Sequence, residues 1–381
     1  MPLHNGRPAR QRKEVLRSLQ QHRWKEKLVD SCVLTRLSGA ITLTQIKAKS
    51  HTAFFQVNRC RESGTARAVR CLRRIRRPSP DSLRCSTKSD AVAPLHFNAE
   101  PILLVRVSGL MMKIVQFELA PIHQFRFLNA GRGSGDFYED QLPVHHARVE
   151  QLPEGLKALV VTADLQGRET FEDSGGGPLR LLGEVLPQRL VEDVFPELCL
   201  DDSQETGALL AGDFYTVPAL DKRGGTGDVS GVWHEFRQWF AWVAGVAGNH
   251  DLFGDQKKVQ PDRFDRMHFL EGDIAEVNGL RIAGLGGIIG NPSKPQRRTA
   301  EDYSRTLSSL LRGKPDILLL HDGPDGLENA QPGNSMMRNL LQEEPPRLVV
   351  RGHSHWENPF AEFPCGLQVL NVDARVVILT E

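Results

Sequence analysis

The chain has 381 residues, of which 40% are hydrophobic and 25% charged, with 34 Gly and 23 Pro; this is the composition of a globular protein and excludes fibrous and wholly disordered classes. Its net charge of +1 conceals a split, since residues 1–90 carry 21 Lys and Arg against 6 Asp and Glu, while the remainder carries 27 against 41. Charge therefore divides the chain before any motif does.

Through residues 1–109 neither a 3.6- nor a 2.0-residue periodicity persists, apart from a short candidate helix over 12–29. Runs such as CLRRIRRPSPDSLRCSTKSD read as unstructured. Cys32, Cys60, Cys71 and Cys85 fall here at spacings that match neither paired CxxC knuckles nor a Cys/His finger, which argues against zinc. Three readings compete for this stretch: a basic arm for a polyanion, an Arg-rich targeting segment, or an upstream extension outside the natural product. The third is favoured, because strand-like alternation begins in MMKIVQFELA, just after Met111 and Met112. Aromatic interleaving for base stacking is sparse, which argues against nucleic acid as a partner. The expected organisation is a basic, low-structure extension over 1–110 and a folded domain over 111–381.

No apolar run reaches the roughly 18 residues of a membrane span; the best, 101–117, is broken by Arg106 and Lys113. The lack of a secretory leader, and two remaining cysteines, Cys199 and Cys365, that are too few to staple the domain, point to the cytoplasm.

Beyond Met111 short apolar runs alternate with helical stretches. Residues 158–161, 208–211, 242–247, 280–286, 316–320, 347–350 and 376–379 read as buried strands. Helices are expected over 178–194, 231–243, 300–312 and 334–342, with Trp233, Phe236, Phe240 and Val243 as a core-facing stripe. This alternation predicts an α/β fold with strands inside.

Five of these strands end in polar residues of metal-ligand type: Asp164, Asp213, Asn249 with His250, His321, and His353 with His355. In α/β sheets the carboxyl ends of strands form the ligand crevice, so these tips can converge. Glycine precedes the polar residue in GD, GN and GH, where the chain can turn sharply. Mixed carboxylate, amide and imidazole without thiolate suits Mn²⁺, Fe or Zn²⁺.

The ordered set DLQ, GDFY, GNHD, strand-His and GHSH resembles the calcineurin-like metallophosphoesterase superfamily over roughly 158–381. The resemblance implies a four-layer α/β/β/α sandwich of two mixed sheets and two divalent cations. By position, Asp164, Gln166 and His355 would hold the first cation, Asn249, His321 and His353 the second, and Asp213 would bridge them. The cations would clamp a phosphate ester and activate water, with His250 as the general acid. Two positions depart from the family pattern. Gln166 replaces a histidine and offers a weaker donor, and Thr216 stands where many members carry a second acid. Asp251 either replaces that acid as the partner of His250 or caps a turn. Arg168, Lys294, Arg297 and Arg298 are candidate phosphate-binding cations, although paired arginines before a helix are commonly solvated. The expected function is hydrolysis of a phosphomonoester or phosphodiester, and the alternative is a non-catalytic or regulatory binding platform on the same fold. The pair His145-His146 is expected in a solvated loop away from the site.

Overall fold

The computed structural model describes residues 32–37, 40–45 and 112–381, apart from 132–135, 255–259 and 262–263. The chain divides into two compact units, Met1–Asn98 and Ala99–Glu381. In the first, Cys32–Leu37 pairs antiparallel with Ala40–Gln45. This strand pair lies within the extension expected to be low in structure. CVLTRL and AITLTQ are rich in β-branched residues and flank a Ser-Gly dipeptide, a hairpin signal that the surrounding basic charge obscures. The rest of that extension, including the helix expected over 12–29, lies outside the described residues.

The second unit is mixed α/β. Its larger sheet contains β1 (Ile114–Phe117), β2 (His123–Ala130), β3 (Phe137–Val149), β4 (Ala158–Ala163), β5 (Thr206–Leu210), β6 (Trp242–Gly245), β7 (Met267–Phe269) and β14 (Arg375–Thr380). Their order is β7-β6-β5-β4-β14-β3-β1, with β2 paired to β3. The smaller sheet contains β8 (Asp273–Val277), β9 (Leu280–Leu285), β10 (Ile317–Leu320), β11 (Leu348–Arg351), β12 (Phe360–Glu362) and β13 (Gln368–Asn371), in the order β8-β9-β10-β11-β13-β12. The helices are α1 (Leu182–Arg189), α2 (Ser230–Trp239), α3 (Ala300–Arg312) and α4 (Ser335–Glu343).

The continuous apolar runs of the parallel strands follow from burial on both faces. In β4, Ala158 and Val160 join a cluster with Leu182, Leu186, Trp233 and Phe236 of α1 and α2. The alternate residues Leu159 and Val161 join a second cluster that also takes Ile317 and Leu319 from β10 of the other sheet. Leu318 and Leu320 of β10 face a third cluster, with Tyr303 and Leu307 of α3 and Met337 of α4. Fully burying each such side chain contributes about 1.5–3 kcal/mol.

Local sequence sets the helix bounds. Thr299 caps α3 by accepting from the Asp302 N–H, and Glu301 and Asp302 lie in the first turn, where the helix dipole favours them. α1 begins later than expected, because Leu181 is extended and bridged to Arg168. α2 stops at Trp239 rather than Val243, since Phe240 turns extended and 242–245 joins the sheet. Trp233, Phe236, Phe240 and Val243 are nonetheless all buried. His145 and His146 lie within β3, opposite Val377 and Ile378 of β14, and His145 is buried. The loop expectation there fails because His145 and His146 place polar rings at buried and half-buried positions, which masks the alternation of this strand. Among the described residues no helix is long and apolar enough to cross a membrane.

Candidate metal centre

Strands β4, β5 and β6 run parallel, as do β10 and β11, so their carboxyl ends form two edges. Asp164 directly follows β4, Asp213 and the pair Asn249-His250 follow β5 and β6 after short loops, and His321 and His353 follow β10 and β11. Cross-links tie the edges together. The Asp164 N–H donates to Gly212 O (2.8 Å), His321 Nδ1 to Ala211 O (2.8 Å), and the His353 N–H to Asp164 Oδ2 (2.8 Å).

Asp164, Asp213 and His353 all adopt left-handed backbone, with φ of 56°, 61° and 68°. Such conformations cost about 1–3 kcal/mol each and persist where the surroundings enforce them. Two glycines allow the close approach. A Cβ at Gly248 would collide with the Asp213 carboxylate, and one at Gly352 with the Asp164 carboxylate.

Ligand atoms of Asp213, His321 and His353 lie within 4.8 Å of one another. The His321 and His353 rings are 5.0 Å apart between centroids. Because Nδ1 of His321 is spent on a carbonyl, the neutral ring points its Nε2 lone pair toward Asp213 Oδ2, 3.3 Å away. This buried Nε2 and the buried Asn249 Oδ1 have no hydrogen-bond partner. Orphaned buried acceptors are costly, and their concentration here fits a cation that both would bind. Charge agrees. Burial opposes protonation of His321, yet the Asp213 and Asp164 carboxylates outweigh it and push the imidazole up to about 10. Burial, followed by the nearby Asp373 carboxylate, holds Asp164 well above the usual carboxylate range. A divalent cation relieves this negative crowding.

The set expected for the first cation is less complete. Gln166 lines the cavity, but its Nε2 donates to Asp213 Oδ2 (3.2 Å). His355 is exposed; its Nδ1 lies 3.3 Å from Asp373 Oδ1, and both ring nitrogens lie 3.2 Å from Arg375 Nη2. Asp164, Gln166, Asp213 and His353 thus share one cavity of about 340 Å³, from whose lining His355 is missing.

His250 borders the cavity and is partly exposed. Its backbone N–H donates to Asp213 Oδ1 (2.8 Å), and its Nδ1 donates to Gly225 O (2.6 Å), which leaves Nε2 on the side of Asp213 Oδ2, 3.9 Å away. The partner of His250 Nδ1 is therefore a main-chain carbonyl and not a carboxylate. Asp251 has neither expected role. It is fully buried, and its carboxylate accepts the N–H groups of Asp213 (2.7 Å), Phe214 (2.8 Å) and Gly248 (2.8 Å), lacing the GD loop to the GN loop. Burial and the Asp213 charge push it up to about 6.

The candidate phosphate-binding cations do not gather here. Arg168 is buried and spent on the carbonyls of Leu179, Thr216 and Val217, while Arg297 and Arg298 line a different cavity beside Glu271 and Asp302. The guanidinium that does border the cavity is Arg223, with two of its five donors on Ala130 O (3.1 Å) and the Tyr138 hydroxyl (3.0 Å). In sequence it sits in the loop DKRGG, where nothing distinguishes it from a solvated charge.

A family model described as calcineurin-like phosphoesterase matches residues 158–357. No curated protein matches the chain.

Proposed function

The chain belongs to the calcineurin-like phosphoesterase family, and from that premise we propose that it hydrolyses a phosphomonoester or phosphodiester with two divalent cations held at the strand ends. The observation that carries this reading is the pair of orphaned buried acceptors, Asn249 Oδ1 and His321 Nε2, beside Asp213 and His353. Those four residues would hold one cation, and Asp213 and Asp164 would contribute to the other. Bound cations would supply Lewis acidity toward the phosphoryl oxygens and a nucleophilic water. Helices, sheet, sheet and helices in four layers is the arrangement we propose for the second unit, and the alternation of β4 and β10 between clusters supports it.

The chain's own groups supply the rest. Gly225 O accepts from Nδ1 and so orients the His250 ring, and a proton on Nε2 can pass to the departing oxygen of the ester. Arg223 can steady a phosphoryl oxygen from the opposite wall. Exposed free thiols at Cys199 and Cys365 support a reducing compartment, the cytoplasm.

The test is chelator treatment followed by assay on aryl phosphomonoesters and phosphodiesters, cyclic nucleotides and dinucleotide polyphosphates. Activity should vanish and return with Mn²⁺, and full turnover by metal-free protein would refute the reading. His250→Ala should keep its metal while losing about 10²- to 10⁴-fold in turnover, most for poor leaving groups.

A further inference from the structure

Among the described residues the cavity at the metal centre is lined by four carboxylates, Asp140, Asp164, Asp213 and Asp373, against the guanidinium of Arg223. With His250 protonated as the general acid and the other histidines neutral, that is a surplus of two negative charges. A single divalent cation would only neutralise the cavity, whereas two make it positive and attract a phosphate ester. Phosphate chemistry here therefore calls for a second cation, yet two of the ligands expected for it are compromised. Gln166 is uncharged and turns its amide nitrogen to Asp213, and both ring nitrogens of His355 face the Arg375 guanidinium. Arg375 is itself buried and anchored on Trp356 O (2.7 Å), so it does not leave freely.

Asp373 offers the missing anionic donor. It follows β13 and bridges to Ala163, while the next residue, Ala374, donates its N–H to Ala163 O (3.2 Å); Asp373 thus stands beside Asp164 on the same cavity wall. Arg375 Nε bonds the backbone carbonyl of Asp373, not its carboxylate (3.2 Å). His355 meets Oδ1, and Oδ2 accepts no hydrogen bond among the described residues.

We propose that Asp373 is a ligand of the first cation, joining Asp164 and the bridging Asp213 and replacing the imidazole that Gln166 displaces. This rests on the phosphoesterase reading above, and its test is metal binding rather than turnover. The full chain, stripped by chelator, is titrated with Mn²⁺ by calorimetry, and bound metal is counted by atomic emission. The wild type should bind two ions. Asp373→Asn, nearly isosteric, should weaken one site by more than roughly 100-fold, beyond the 10- to 100-fold that loss of an outer hydrogen-bond partner costs, and leave the other unchanged. Gln166→Ala should weaken that site less than Asp373→Asn does.

Two unperturbed sites in Asp373→Asn overturn the proposal, as does a wild type that binds one ion. If His355→Ala reproduces the loss and the double variant adds nothing, Asp373 acts only by orienting His355 and is not a ligand. Should Asp373→Asn fold poorly, Asp373→Glu should keep two ions and change the visible absorption of the Co²⁺-loaded protein; an unchanged spectrum counts against the assignment. Two ions bound without hydrolysis of any ester would sink the functional reading and leave this one standing.

Discussion

Asp251→Asn probes how the centre is assembled. Oδ2 accepts two buried N–H groups and Oδ1 a third, at 2.7–2.8 Å. An amide placed in the same rotamer can keep its oxygen on Asp213 and Gly248, but its NH₂ then faces the Phe214 N–H. One buried donor is left unsatisfied, at about 1–3 kcal/mol, and two charge-assisted bonds become neutral, at about 0.5–1 kcal/mol each. The sum is about 2–5 kcal/mol, which for a unit of this size lowers the melting temperature by roughly 4–20 °C. Asp251→Ala strands all three donors, a loss of roughly 3–9 kcal/mol that approaches the whole stability of a domain. Thermal unfolding of metal-free protein gives the first number, and Mn²⁺ titration reports whether the GD and GN loops still present Asp213 and Asn249 together. A variant that melts with wild-type protein, binds metal normally and loses only turnover would refute the lacing role and return Asp251 to the acid-base machinery of His250.

Gly352→Ala should cut bound metal measured by atomic emission, because the added Cβ meets the Asp164 carboxylate; its cost to stability should be limited to the 1–3 kcal/mol or so typical of overpacking. Arg223→Ala should raise KM several-fold with little change in kcat if it steadies bound phosphate, and Arg223→Lys should recover only part of the effect, since an ammonium lacks the forked donors. His145 gives a pH prediction away from the centre. Burial lowers its imidazole below the usual value, against the carbonyl of Glu118, so the unfolded chain takes up the proton first. Stability from this residue is present above pH 6.5 and is lost as pH falls below it, by at most about 1.4 kcal/mol per pH unit. The urea midpoint of His145→Gln should therefore fall less steeply than that of wild type between pH 7 and 5.5.

What the sequence determined by itself was most of the strands buried on both faces and the polar residues at their ends. A strand covered on both sides must be apolar throughout, and a strand end that turns a ligand inward needs glycine and a short polar motif, so both leave local marks: ALVV before Asp164, GD, GNHD, and the paired histidines after RLVV. Strands with one solvated face left weaker marks, and β2, β3, β7, β8 and β12 were not legible; nor was β13, whose buried run is short and ends in the polar Gln368 and Asn371. Nor was the strand pair within the basic stretch, whose short runs are masked by charge. The tertiary structure alone decided the partners. That Asp251 laces two loops, that Gly225 O holds His250, that Arg168 is spent on carbonyls while Arg223 borders the cavity, and that Asp373 stands beside Asp164 are all contacts between residues from 3 to more than 200 positions apart. Chemistry of this kind depends on distance and direction in space, and a one-dimensional pattern carries neither once the chain has turned through more than one loop.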